Sequence, residues 1–89
     1  MPLNYKIFLS NQSKKELSKI KKGDLKSAQL ISNALNELQK SPQIGEFLHG
    51  DLRSRRKLRV GNYRIIYSIE KDQVIIYIFR IAHRKDVYR

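Results

Sequence analysis

The stretch from Leu58 to Tyr67, LRVGNYRIIY, decides the fold of this chain. Gly61 and Asn62 stand between apolar and aromatic flanks, a strong signal for a two-residue hairpin loop. With those two residues in the loop, Val60 faces Tyr63, Arg59 faces Arg64, Leu58 faces Ile65, Lys57 faces Ile66 and Arg55 faces Ser68. Alternation along each strand puts Leu58, Val60, Tyr63, Ile65 and Tyr67 on one face and Arg55, Lys57, Arg59 and Arg64 on the other. Arg59 and Arg64 are then directly opposed, and like charges in that position destabilise a sheet. Selection for stability alone avoids such a pair, so the basic face is expected to meet a polyanion, for which a phosphate backbone is the best fit.

Outward from the hairpin, three consecutive strands are expected at Arg53–Val60, Tyr63–Glu70 and Val74–Ile81, the last two joined around Lys71 and Asp72. Before them, Leu3, Tyr5, Ile7 and Leu9 alternate with polar residues as a half-buried strand does. Ser10, or Ser13 with Glu16 as a capping box, opens a short basic helix reaching about Ile20, with Leu17 and Ile20 turned inward. Lys21 to Asp24 breaks it, and Asp24 can cap a second helix from Leu25 to about Gln39. Ala28, Ile31, Leu35 and Leu38, with Leu25 and Ala34 beside them, form its apolar stripe, and Ser41-Pro42 ends it. Gln43 to Asp51 reads as a loop leading into or containing a short strand. The whole, residues 1–89, is one two-layer α+β domain: an N-terminal strand, then a helix hairpin packed on a mainly antiparallel sheet. The face away from the helices also holds Ile66, Ile75, Tyr77, Phe79 and Ile81, with no third helix to cover them, which marks an interaction surface.

Composition narrows the partners. The 89 residues include 19 Lys and Arg against 8 Asp and Glu, a net charge of +11, so nucleic acid or an acidic protein is favoured over a neutral small molecule. With no cysteine and two histidines, His49 and His83, neither disulfides nor a metal site is expected, and no cofactor is implied. The N-terminus reads as no leader and no apolar run suits a membrane span, so the expected location is cytoplasmic.

Cutting RNA without a metal requires that a ribose 2′-hydroxyl lose its proton and attack the adjacent phosphate. Fixed donors must also hold the developing charge, and the leaving 5′ oxygen must be protonated. Arg64 and Arg84 suit the charge, because a guanidinium is permanently cationic and grips phosphate oxygens in a bidentate fork. Lys57 lies diagonal to Arg64, where cationic neighbours favour the neutral amine that a general base must be. Tyr88 suits stacking on an unpaired base or bonding to the ribose. His83 is the conventional acid/base alternative, set against the plainer role of a strand-end hydrogen-bonder, and Glu46 is set between base and structural pair. Simple phosphate binding without cleavage stands as the plain reading of the basic face, and Lys14, Lys15, Lys19, Lys21 and Lys22 read as a solvated helix face.

The run KLRVGNYRIIYSI from Lys57, followed after one strand by RIAHRKDVYR, resembles the RelE branch of the RelE/ParE toxin superfamily, as does the order of elements. RelE-type toxins are small basic ribonucleases that enter the ribosomal A site and cut mRNA there, inhibiting translation, until an adjacent antitoxin restrains them. The resemblance implies catalytic roles for Lys57, Arg64, Arg84 and Tyr88, a substrate contact for Arg55, which Arg59 joins from the register of the hairpin, and reserve acid/base roles for Glu46 and His83. It implies as partners the ribosome, mRNA and a RelB-like antitoxin, acidic or amphipathic, that covers Ile75, Tyr77 and Phe79. Three features depart from relatives: Arg55 stands where some carry lysine, the Arg84-to-Tyr88 spacing is short, and no helix follows Tyr88. The alternatives are a gyrase-poisoning toxin of the ParE branch and a non-catalytic nucleic-acid-binding module.

Overall fold

The computed structural model describes residues 4–48 and 54–87. Its elements run β1 (Lys6–Leu9), α1 (Asn11–Gly23), α2 (Leu25–Lys40), a 3-10 turn (Pro42–Ile44), β2 (Glu46–Phe47), β3 (Arg56–Val60), β4 (Tyr63–Glu70), β5 (Ile75–His83) and α3 (Arg84–Val87). The five strands form one sheet in the order β1-β5-β4-β3-β2, antiparallel except where β1 runs parallel to β5. Every expected pair from Lys57↔Ile66 to Val60↔Tyr63 is present. Gly61 carries the turn at a φ of 59° while Asn62 keeps φ negative, the signature of a type II′ hairpin.

The helix hairpin lies on one face of the sheet. Ser10 caps α1 through its side-chain oxygen, which accepts the Ser13 N–H at 3.0 Å, so of the two expected start signals the earlier one operates and the helix runs on through Gly23. Asp24 closes α1 and caps α2 by accepting the Ser27 N–H at 3.1 Å and the Ser27 hydroxyl at 2.6 Å. Those two bonds, the hydroxyl first, hold the Asp24 carboxyl below its usual range. Leu17, Ile20, Ala28, Ile31 and Leu38 meet Ile65, Tyr67, Ile76, Ile78 and Ile81 in the core. Leu25, expected beside the inward stripe, is instead 73% exposed: as the first residue of α2 it precedes the turn that reaches the sheet.

One irregularity changes the pattern on β5. Tyr67 pairs with Ile78 and Ile66 with Arg80, leaving Phe79 as the extra residue of a β-bulge. The bulge shifts the alternation by one, so Ile81, expected on the uncovered face, is buried against the helices at 1% exposure opposite Ile65. The first turn of α1 answers the bulge: the Ser10 hydroxyl donates to the Phe79 carbonyl at 2.8 Å, and the buried Ser13 hydroxyl lies 3.0 Å from that of Ile78. Further along, Glu16 accepts the Ile81 N–H at 2.7 Å and pairs with Arg80 at 2.7 Å. The Glu16 carboxylate, through its hydrogen bond above all, pushes the Arg80 pKa up. Glu16 is therefore a seal on the free edge of β5 rather than half of a capping box. A short α3 also forms where no third helix was expected, against the ends of β4 and β5.

Candidate active site

The face away from the helices carries the basic residues in rows set by the register. Arg59, Arg64 and Ala82 form one row across β3, β4 and β5, while Glu46, Lys57 and Ile66 form the next across β2, β3 and β4, the β5 partner Arg80 being drawn to Glu16 of α1. β2 is only two residues long, so it covers β3 at Lys57 and leaves the segment beyond it open. A groove of about 360 Å³ opens there, lined by Ile44, Glu46, Lys57, Leu58, Arg59 and Arg64. It gathers four of the residues singled out from the sequence. Lys57 and Arg64 are half-buried, whereas Arg59 and Glu46 are exposed.

The wall bearing Glu46 is held by a buried hydroxyl. Tyr67 is fully buried, and its phenol donates to the Pro42 carbonyl at 2.7 Å while accepting the Gly45 N–H at 2.9 Å. Burial is the main cause that pushes this phenol's pKa up, opposed by the Gly45 hydrogen bond and the nearby Arg56 charge. Glycine is required at position 45, because an added Cβ would sit 2.5 Å from the Tyr67 hydroxyl oxygen and 2.8 Å from the Lys57 carbonyl oxygen. Arg56 reinforces the same segment, donating to the Gly45 carbonyl at 2.8 Å and stacking 3.8 Å over the Phe47 ring. This close packing delivers Glu46 to the position directly across from Lys57. Sequence reading marked Glu46 and Lys57 separately and missed Tyr67, Gly45 and Arg56 as their supports. Two glycines in an otherwise unpatterned segment were the only signal available.

Other candidates fall elsewhere. The Arg84 N–H donates to the Asn62 carbonyl at 2.7 Å, which anchors Arg84 at the hairpin-turn end of the sheet, where Arg59 and Arg64 also lie, with its side chain exposed. His83 pairs with Tyr63 on the helix side and meets its ring edge-on, 5.2 Å between centroids at 85°. Its Nδ1 accepts the Lys85 N–H at 3.2 Å, the strand-end role set out as its plainer reading. His83 lines a separate groove against α1 and is not brought together with Lys57 and Arg64. Arg55 shares the open face with that pair but lies 3.8 Å over the ring of Phe79. Tyr88 and His49 lie outside the described residues.

Chemically, such a groove offers a cluster of cations to a phosphate, and a carboxylate and an amine as proton carriers. Among the described residues, no group of three or more His, Cys, Asp or Glu is placed to hold a metal ion. Nor is any helix among them long and apolar enough to cross a membrane.

Comparison with known proteins agrees with this architecture. Residues 7–88 match the family described as ParE toxin of type II toxin-antitoxin system, parDE. The chain is 28% identical to Toxin RelG of Mycobacterium tuberculosis over 86 residues, covering 96% of this chain and 97% of that one. It is similar, with a TM-score of 0.78 and 25% identity, to a chain of the toxin-antitoxin complex RelBE2 from the same organism, covering 92% of this chain and 100% of that one. The isolated RelE toxin of E. coli has the same fold, with a TM-score of 0.76 at 22% identity over 94% of this chain and 90% of that one. With nearly its whole length matched, the chain belongs to the ParE toxin family, within the RelE/ParE superfamily of type II toxin-antitoxin toxins.

Proposed function

We propose that this toxin is a metal-independent endoribonuclease that cuts mRNA in the ribosomal A site and so stops translation. The observation that carries the reading is the single groove in which Glu46, Lys57, Arg59 and Arg64 converge on the uncovered face of the sheet. A module that only bound phosphate backbone would need the cations but not a carboxylate set across from a lysine.

In the proposed mechanism Lys57 takes the proton from the ribose 2′-hydroxyl, with Glu46 as the reserve base beside it. The 2′ oxygen attacks the adjacent phosphorus and the bond to the 5′ oxygen breaks as that oxygen takes a proton from water, giving a cyclic phosphate and a free 5′-hydroxyl. Arg64 and Arg84 hold the charge that builds on the non-bridging oxygens, Arg59 and Arg55 bind the flanking strand, and Tyr88 positions the nucleotide. The groove is open, so alignment of the strand falls to the ribosome. A cognate antitoxin of acidic or amphipathic character, RelB-like, restrains the toxin by masking the basic groove. The relatives solved as toxin-antitoxin complexes support this partner.

The test is primer extension on an mRNA programmed into purified ribosomes, beside free mRNA and an Arg84→Ala protein. Cuts confined to the A-site codon and absent from both controls are expected. The family match favours one second reading, poisoning of DNA gyrase as in the ParE branch. DNA damage signalling with uncut mRNA would establish that reading instead. For the antitoxin, co-purification with the product of the adjacent reading frame is expected, and failure to form any complex would remove it.

A further inference from the structure

The open face continues past the basic groove into a surface of different chemistry. Tyr77 pairs with Ser68 on one side and Phe8 on the other, so Ser68, Tyr77 and Phe8 form a row across β4, β5 and β1. Phe8 is 51% exposed and Tyr77 36%. Phe79 meets Tyr77 edge-on, 4.8 Å between centroids at 69°, and the Arg55 guanidinium lies 3.8 Å above the Phe79 ring. A hollow of about 500 Å³ runs beside them, lined in part by Phe8, Ser68, Tyr77 and Phe79. The β-bulge makes this arrangement compatible with the core: Ile78 and Ile81 both face the helices, while Phe79 between them faces out.

We propose that Arg55, Phe79, Tyr77 and Phe8 form a stacking platform for an unpaired nucleobase next to the phosphate held in the basic groove. This rests on the nuclease reading for its biological setting, but the site is defined by its own chemistry. Aromatic rings and arginine guanidinium groups are what single-stranded RNA bases stack on, whatever their sequence. Continuity selects RNA over a protein segment as the occupant. Four residues of β4 separate Arg64 from Ser68, about 13 Å along the strand, so a backbone held at Arg64 brings a base one or two nucleotides away over Phe79 and Tyr77. Arg55 shares the open face with Lys57 and lies over Phe79, so it links the two regions. The exposed large apolar side chains of the patch, Phe8 and Tyr77, are both aromatic, which suits ring stacking, and the exposed Glu70 and Gln73 line the same hollow.

The full-length protein is tested against a short single-stranded RNA with 2′-O-methyl riboses throughout, which removes the attacking hydroxyl, and with 2-aminopurine at one position at a time. Quenching of the fluorophore is expected at one or two adjacent positions. Tyr77→Ala and Phe8→Ala each weaken binding about 5-fold or more and relieve the quenching, while the dependence of affinity on salt stays as in the wild type. Arg64→Ala does the reverse, lowering the salt slope by about 0.7 and leaving the quenching at saturation. An abasic residue at the quenched position makes wild type and Tyr77→Ala bind equally. Wild-type affinity and quenching in Tyr77→Ala, or the same loss with the abasic strand, overturns the proposal. So does saturation of the patch by an antitoxin peptide with no change in RNA binding. Because this RNA cannot be cut and no ribosome is present, the result is independent of whether the protein is a nuclease.

Discussion

On the helix side of the sheet Ile65, Tyr67, Ile76, Ile78 and Ile81 are each at most 1% exposed, whereas one residue away on the same strands Arg59 opposes Arg64 and Tyr77 is 36% exposed. The first face follows the rules of stability: dense apolar packing, with its buried polar groups, Ser13 and the Tyr67 hydroxyl, hydrogen-bonded. The second breaks them, with like charges paired across strands and aromatic rings in water. The difference separates what holds the fold from what meets a ligand. Substitutions on the two faces should therefore act on different observables.

The largest divergence is expected at Arg64. Arg64→Ala should lower A-site cleavage about 10²- to 10³-fold, the usual loss when one fixed donor to a developing oxyanion is removed. The same protein should melt close to the wild-type temperature, since Arg64 lies outside the apolar core on the helix side. Loss of activity together with a clear fall in Tm would break the separation of the two faces.

Tyr67→Phe is the converse test, expected to cost about 1–3 kcal/mol in urea unfolding by leaving the Pro42 carbonyl and the Gly45 N–H without their partner. Gly45→Ala should be similarly harmful, since the new methyl meets the Tyr67 hydroxyl oxygen at 2.5 Å and backbone at 2.8 Å. Both should also reduce cleavage, because the displaced segment carries Glu46. Unchanged stability in either variant would show that the wall of the groove is not held in this way.

The hairpin and its like-charged pair were legible because Gly-Asn between alternating strands leaves one register, and register fixes faces. The helix stripes were equally plain from their spacing. Bulges leave no such mark: RIAHRK reads as an ordinary continuation of β5, and only tertiary packing of α1 against the Ile78 and Phe79 carbonyls reveals the slip that buries Ile81. Long-range supports were hidden for the same reason. Tyr67 is 22 residues from Gly45, and nothing local in either sequence points to the other. His83, the reserve acid/base candidate, is turned towards Tyr63 by the shifted phase of β5.

Smaller effects refine the comparison. Ser10→Ala should cost about 0.5–2 kcal/mol by removing the α1 cap and its link to the bulge, read from thermal unfolding. Arg59→Gln should stabilise by about 0.2–1 kcal/mol while weakening RNA binding, a gain that no helix-side substitution of a buried residue is expected to give. The Asp24 carboxyl is held below its ordinary value in the folded chain, so its contribution to stability is present above the unfolded value of about 3.9 and is lost as pH falls through the folded one. Melting curves of wild type and Asp24→Asn should therefore converge in acid, and a gap that widens there would reverse the assigned direction.

The most direct measurement is single-turnover cleavage of mRNA in programmed ribosomes by two variants, one on each face of the sheet. Lys57→Ala should abolish A-site cleavage while binding the ribosome, and His83→Ala should retain it to within a few-fold. Full cleavage by Lys57→Ala together with its loss in His83→Ala would place the chemistry on the helix side and contradict the assignment of the open groove.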